Sequence, residues 1–176
     1  MEENIRLGCY PVTDGVEIPV KGTDGAACFD IKANLHTDKL KGYNGSNKEV
    51  EFPVQYQLDS FEGEKFICLM PLARVLIPTG IIFQIPVGYS LRLHPRSGNS
   101  FKRGFSLANA EGIIDSDYYH ETFVCVVNLS ENILKIRDGE KIAQAELIKD
   151  VPVDIIKIKS KPGQTTDRTG GFGSTG

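Results

Sequence analysis

Helix-period patterning is nearly absent from this chain, and short runs with a period of two take its place. Residues 74–89, RVLIPTGIIFQIPVGY, hold two β-branched runs, each closed by Pro and Gly. Residues 90–94, SLRLH, alternate polar and apolar as a half-buried strand does. Residues 121–129 (ETFVCVVNL), 133–136, 142–148 and 153–158 (VDIIKI) supply further strands. Their spacing of about ten residues, with turns such as Asp138-Gly139, predicts an all-β barrel or jelly roll. Pro78 and Pro86 are expected at strand starts or edges, because a central strand cannot spare the amide donor. Residues 97–102, SGNSFK, are the expected helical turn. The polar, turn-rich stretch 36–65 reads as an inserted hairpin or surface loop in a single domain spanning 1–176.

Composition narrows the function classes. The 176 residues are enough for one domain with a core, and 40% hydrophobic with 24% charged is ordinary for a globular protein. A net charge of −3 and a pI near 5.6 argue against a general nucleic-acid binder, yet a few local cations can still hold a small anion. No apolar stretch approaches the roughly 20 residues that cross a bilayer, and Met1-Glu2-Glu3 is no secretory signal. Cys9, Cys28, Cys68 and Cys125 are scattered without a Cys-x-x-Cys pair, and His36, His94 and His120 form no cluster. These read as reduced packing thiols rather than zinc ligands, so the expected location is cytoplasmic, or the host cytoplasm for a virus-encoded chain.

Five separated segments carry unusual chemistry. In AACFDIKA, residues 26–33, Asp30 lies between apolar residues on an expected strand; a local ion pair would also explain it. PRSGNSFKRG, residues 95–104, joins a strand end to a helical turn. Free N–H groups, the Arg96 guanidinium and the Ser97 hydroxyl there make an anion site or, equally, a capped turn. NAEGIIDSDYY, residues 109–119, reads as a hairpin whose unpaired edge offers backbone donors and acceptors to a base. Its two carboxylates, Asp115 and Asp117, point to one face. In GEKIAQ, residues 139–144, Gln144 stands in an apolar run and needs a partner. The tail RTGGFGSTG, residues 168–176, is too glycine-rich for a core. It is either a mobile end or a flap, over 164–176, whose ring covers a flat group while Arg168, Ser174 and Thr175 meet an anion.

Together and in this order, the five segments resemble the trimeric dUTPase (dUTP diphosphatase) family, and LIPTGIIFQIPVGY adds to the likeness. The resemblance implies a jelly-roll or distorted β-barrel with a C-terminal glycine-rich arm, and a homotrimer with shared active sites. It implies that dUTP is split to dUMP and diphosphate with Mg²⁺ as cofactor. Asp115 matches the general base that activates water against the α-phosphorus. Arg96, Ser97, Gly98 and Gln144 match phosphate contacts. Asn109, Gly112, Ile113 and Ile114 match the uracil-reading hairpin, and Tyr118 the ring against the deoxyribose; Phe123 joins this substrate-binding set. Phe172 matches the ring that closes over uracil, with Arg168, Gly173, Ser174 and Thr175 at the outer phosphates, and Asp30 an acid that meets Mg²⁺ through water.

The chain departs from the family pattern at Cys28 and His120, where glycine is usual, in a tail one residue shorter before Phe172, and in the length of 36–65. The related dCTP deaminases share the scaffold, but the tail and the IDSDY hairpin fit the diphosphatase better. A protein partner bound through 36–65 is a compatible second role.

Overall fold

The period-two patterns become antiparallel strands that turn their apolar sides to one core. A computed structural model describes residues 5–57, 63–167 and 170. In chain order come β1 (Gly8–Pro11), β2 (Phe29–Lys32), β3 (Lys39–Tyr43), β4 (Glu49–Pro53), β5 (Gln55–Gln57) and β6 (Glu64–Leu69). There follow β7 (Arg74–Pro78), β8 (Ile81–Gln84), β9 (Tyr89–His94), the helix α1 (Ser97–Arg103), β10 (Phe105–Leu107) and β11 (Gly112–Ile114). The last strands are β12 (Phe123–Asn128), β13 (Leu134–Arg137) and β14 (Lys141–Lys149). One sheet runs β10-β12-β7-β3-β4, a second β11-β9-β14-β2, a third β13-β6-β5, and β1 pairs with β8. The expected all-β architecture with one short helical turn holds.

Alternation decides what each strand buries. In β9, Leu91 and Leu93 are fully buried while Arg92 and His94 stay half-exposed on the other side. Ile31, Ile77, Phe83, Phe105 and Ile136 close the same core from other strands. Burying one such side chain contributes about 1.5–3 kcal/mol. Pro78 ends β7 rather than starting a strand, and Pro86 lies beyond β8, so neither removes a donor from the middle of a ladder.

Stretch 36–65 forms strands that polar composition hides. β3 and β4 are a hairpin whose turn is held by Asn44 Oδ1, which accepts from the Ser46 and Lys48 N–H groups at 3.0 Å each. Its inner face is core: Leu40 and Phe52 are buried, and β3 also pairs with β7. Gly42 lets the strands approach, since a Cβ there would stand 2.2 Å from the Arg74 carbonyl oxygen. The sequence shows only scattered apolar residues here because one face alone is buried.

The strand expected at 153–158 does not form. Residues 151–158 have no ladder partner, and Val153, Ile155, Ile156 and Ile158 are exposed. Such a run gains a ladder only by joining a sheet edge, and among the described residues 151–158 join none. β1, β6 and β10 lack any clear signal because they are short or mixed in polarity.

Replacing Gly42 by Ala should lower stability by about 1–3 kcal/mol through overpacking against β7. Urea unfolding of Gly42→Ala measures it, and an unchanged midpoint would show that the hairpin is not seated on that strand.

Candidate active site

The middle of the second sheet brings three of the five segments together. The register sets Gln144 opposite Asp30 on β2 and opposite His94 on β9. The chain leaves β9 through Pro95 and stays extended at Arg96, with φ −90° and ψ 129°, before α1 begins. Arg96 therefore reaches back over β14, and its Nε donates to Asp30 Oδ1 at 2.8 Å. Lys141 Nζ meets Asp30 Oδ2 at 2.8 Å, and Gln144 Nε2 donates to the Pro95 carbonyl at 3.0 Å. So Asp30, Arg96 and Gln144 form one cluster, with the exposed Ser97 and Gly98 at its rim.

Local geometry explains the placement. Gly139 takes φ 71°, which a Cβ would strain, and the turn it makes is stitched to the end of β2. Leu35 N–H donates to Asp138 Oδ1 at 2.6 Å, Gly139 N–H to the Ala33 carbonyl at 2.8 Å, and Ala33 N–H to the Glu140 carbonyl at 2.8 Å. The buried Asn99 then ties α1 to β14 by donating to the Lys141 carbonyl at 2.9 Å. Arg103 pairs with Glu140 and donates to the Lys135 carbonyl at 2.8 Å. A shallow cleft of about 480 Å³ opens here, lined by Arg96, Asn99, Arg103, Arg137 and Lys141 among others. Its lining also holds Asp138 and Glu140, and its four cations each pair with a carboxylate, so it offers an anion directed N–H donors more than a large net positive charge.

Burial alone pushes the Asp30 carboxyl up, but the Lys141 hydrogen bond and the Arg96 charge outweigh it and hold the group below the usual 3.8. Lys141 was not among the expected site residues. Its place at the start of the strand that carries Gln144 was the available signal.

The other end of the sheet carries the base-reading candidates. β11 lies at the sheet edge beside β9, so its outer backbone groups face away from that ladder. Gly112 packs close, since a Cβ would stand 3.1 Å from Leu93 Cβ. Asn109 opens the loop before it, and Ile113 is exposed. Asp115 is exposed just past β11, in a turn closed by Tyr118 N–H donating to its carbonyl at 3.1 Å. The Tyr118 hydroxyl donates to the Glu121 carbonyl at 3.0 Å, and the ring meets His120 edge-on at 5.6 Å. Phe123, partly exposed, starts β12 opposite Pro78.

The chain does not bring the two ends together. Ile114 pairs with Leu91, so Asp115 falls near Ser90, six residues before Arg96 along one extended path. At about 3.3 Å per residue that is roughly 20 Å. Arg168, Phe172, Gly173, Ser174 and Thr175 lie outside the described residues. Among the described residues no group of three or more His, Cys, Asp or Glu is placed to hold a metal ion. No helix among them is long and apolar enough to cross a membrane.

Residues 64–176 match the family model described as dUTPase. The deoxyuridine 5'-triphosphate nucleotidohydrolase of Brucella melitensis is 35% identical over 162 residues, 92% of this chain and 86% of its own length. A dUTPase crystal structure from Streptococcus mutans is similar in fold at a TM-score of 0.62 and 24% identity, covering 84% of this chain and 98% of its own. A mutant dUTPase from phage phi11 of S. aureus, described with a structural Mg(II) ion, gives a TM-score of 0.65 at 16% identity, covering 90% of this chain and 100% of its own. Those two likenesses speak to the fold; the model match and the Brucella relative show that the chain belongs to the dUTPase family.

Proposed function

We propose that this chain hydrolyses dUTP to dUMP and diphosphate at a site that further copies of itself complete, in a homotrimer. The observation that carries the shared site is the separation along β9. A general base works only within hydrogen-bond reach of the water it activates. Asp115 and the Arg96 cluster, roughly 20 Å apart on one extended path, cannot both serve one α-phosphorus within a single chain. Association that sets the hairpin of one copy beside the cation cluster of another removes the conflict.

Each group then has a task that its surroundings fit. Asp115, exposed at the hairpin's end, takes the proton of the attacking water. Arg96, Lys141 and the amides of Ser97 and Gly98 neutralise a triphosphate of roughly four negative charges. Gln144 holds the Pro95 carbonyl, which fixes the approach to Arg96 and leaves its amide oxygen for the phosphate region. The unpaired edge of β11 and Asn109 read uracil and reject cytosine, whose donors and acceptors are reversed. Tyr118 packs on the deoxyribose, with Phe123 beside the hairpin. Arg168 and residues 172–175 supply the closing flap.

Asp30 fits an outer role toward Mg²⁺. Both of its oxygens are engaged by cations, so it offers contact through water, while an ion that keeps several waters is held mainly by substrate phosphates. Bound there, Mg²⁺ would offset charge on the phosphates.

Asp115→Asn should leave nucleotide binding nearly unchanged and cut kcat by about 10²–10⁴-fold. Diphosphate release and dUTP binding read both quantities, and a normal rate would remove Asp115 from the mechanism. Truncation before Arg168 should cost activity far more than thermal stability; full turnover by the shortened chain would end the flap reading. Mixing inactive Asp115→Asn and Arg96→Ala chains, unfolded and refolded together, should restore activity at about a quarter of the sites if the two groups come from different copies. No recovery from well-formed mixed oligomers would place both groups in one chain's site.

A further inference from the structure

A second polar cluster crosses the same sheet toward the base-reading end. His94 stands at its centre. Its Nε2 lies 3.0 Å from Glu146 Oε1 on β14, and its Nδ1 lies 3.6 Å from Glu111 Oε1. Glu111 belongs to the loop between β10 and β11, two residues after Asn109 and immediately before Gly112. Its other oxygen faces Arg92 Nη1 at 3.4 Å. Arg92 is braced in turn, with Nε donating to Ser90 Oγ at 3.1 Å and Nη2 3.8 Å from Asp150 Oδ1. The Arg92 and His94 side chains are only 25% and 27% exposed, so water screens these contacts less than it would on open surface.

The loop that Glu111 belongs to needs an external hold. Ala110 takes φ 62°, a left-handed conformation that a residue with a Cβ keeps only where its surroundings enforce it. Within the loop, Ala110 N–H donates to the Leu107 carbonyl at 3.2 Å and Glu111 N–H to the Asn109 carbonyl at 2.7 Å. The ladder to β9 begins only at Gly112. Between Asn109 and that ladder, the Glu111 carboxylate is the side chain that anchors the loop to the sheet.

We propose that His94 and Arg92 are positioning residues that set the base-reading loop by gripping Glu111, and so govern uracil binding without touching the nucleotide. The inference rests on the proposed reading of residues 109–114 as the uracil hairpin. Glu146 orients the imidazole from the far side, which links the loop to the strand that carries Gln144. Asp115 is held separately, because Ile113 and Ile114 pair with β9 through backbone bonds that these side chains do not supply. Loss of the grip therefore acts on binding of the base more than on the chemical step.

The test is steady-state dUTP hydrolysis by the full chain and by His94→Ala, Glu111→Ala and the double variant, with oligomer size and melting temperature as controls on folding. Each single change should raise KM about two- to fivefold, the size of one partly screened ion contact, and leave kcat within about twofold. The double variant should be no worse than Glu111→Ala alone, because that change already removes the His94 contact together with the Arg92 one. Relative kcat/KM for dUTP over dCTP should fall in parallel. Where His94→Ala fails to fold, Glu111→Gln keeps the side-chain size, loses the charge and should raise KM in the same way. Additive effects of the two changes, or a lowered melting temperature with KM unmoved, would overturn the proposal. A wild-type chain that releases no diphosphate from dUTP would instead remove the function on which it rests.

Discussion

An extended strand cannot fold its two ends together, and β9 carries half of the proposed site's groups toward each end. Beyond its C-terminal end lies Arg96; beside its N-terminal half runs β11, with Asp115 just beyond. The same strand supplies Leu91 and Leu93 to the core, so it cannot bend without opening the interior. This rigidity keeps the cation cluster and the carboxylate apart in one chain. In the proposed trimer it would also hold each in a fixed pose for a second copy, sparing the cost of ordering the groups at each turnover.

At the cation end the controlling interaction is the Asp30 carboxylate between Arg96 and Lys141. It joins three separated segments: β2, the chain leaving β9, and the start of β14. Its charge keeps two cations from repelling one another while no anion is bound. It leaves them partly unsatisfied, because one carboxylate does not cancel two positive charges. In the proposed site an arriving phosphate would supply the missing charge without rebuilding the cluster. The buried Asn99 and the Arg103–Glu140 pair fix α1 from behind, so Ser97 and Gly98 hold their position at the cluster's rim.

Much of this was legible in the sequence, and the exceptions have physical causes. β9 alternates polar and apolar residues as a half-buried strand does, and β12 and β14 show as short apolar, partly β-branched runs. Residues 95–104 and 139–144 announce turns through Pro and Gly, and those turns place Arg96 and Gln144. The hairpin of β3 and β4 was obscured because only its Leu40 and Phe52 side is core, and its contact with β7 relies on the absence of a side chain at Gly42. The roles of Lys141, His94 and Glu111 were not assigned because ordinary charged residues gain a role only from pairings across the sheet, and one sequence does not give register.

The segment 153–158 carries a different lesson. It is rich in β-branched residues, as a strand is, yet inside one chain it leaves Val153, Ile155, Ile156 and Ile158 facing water. Scattered exposed apolar residues need no explanation, but a continuous extended run of them loses the hydrophobic gain and leaves its ladder groups without strand partners. A stretch that joins no edge of its own chain remains available to an edge in another copy. The association proposed to bring Asp115 to Arg96 would also set the edges of further copies within this run's reach, so one physical event would answer both the unburied run and the divided site.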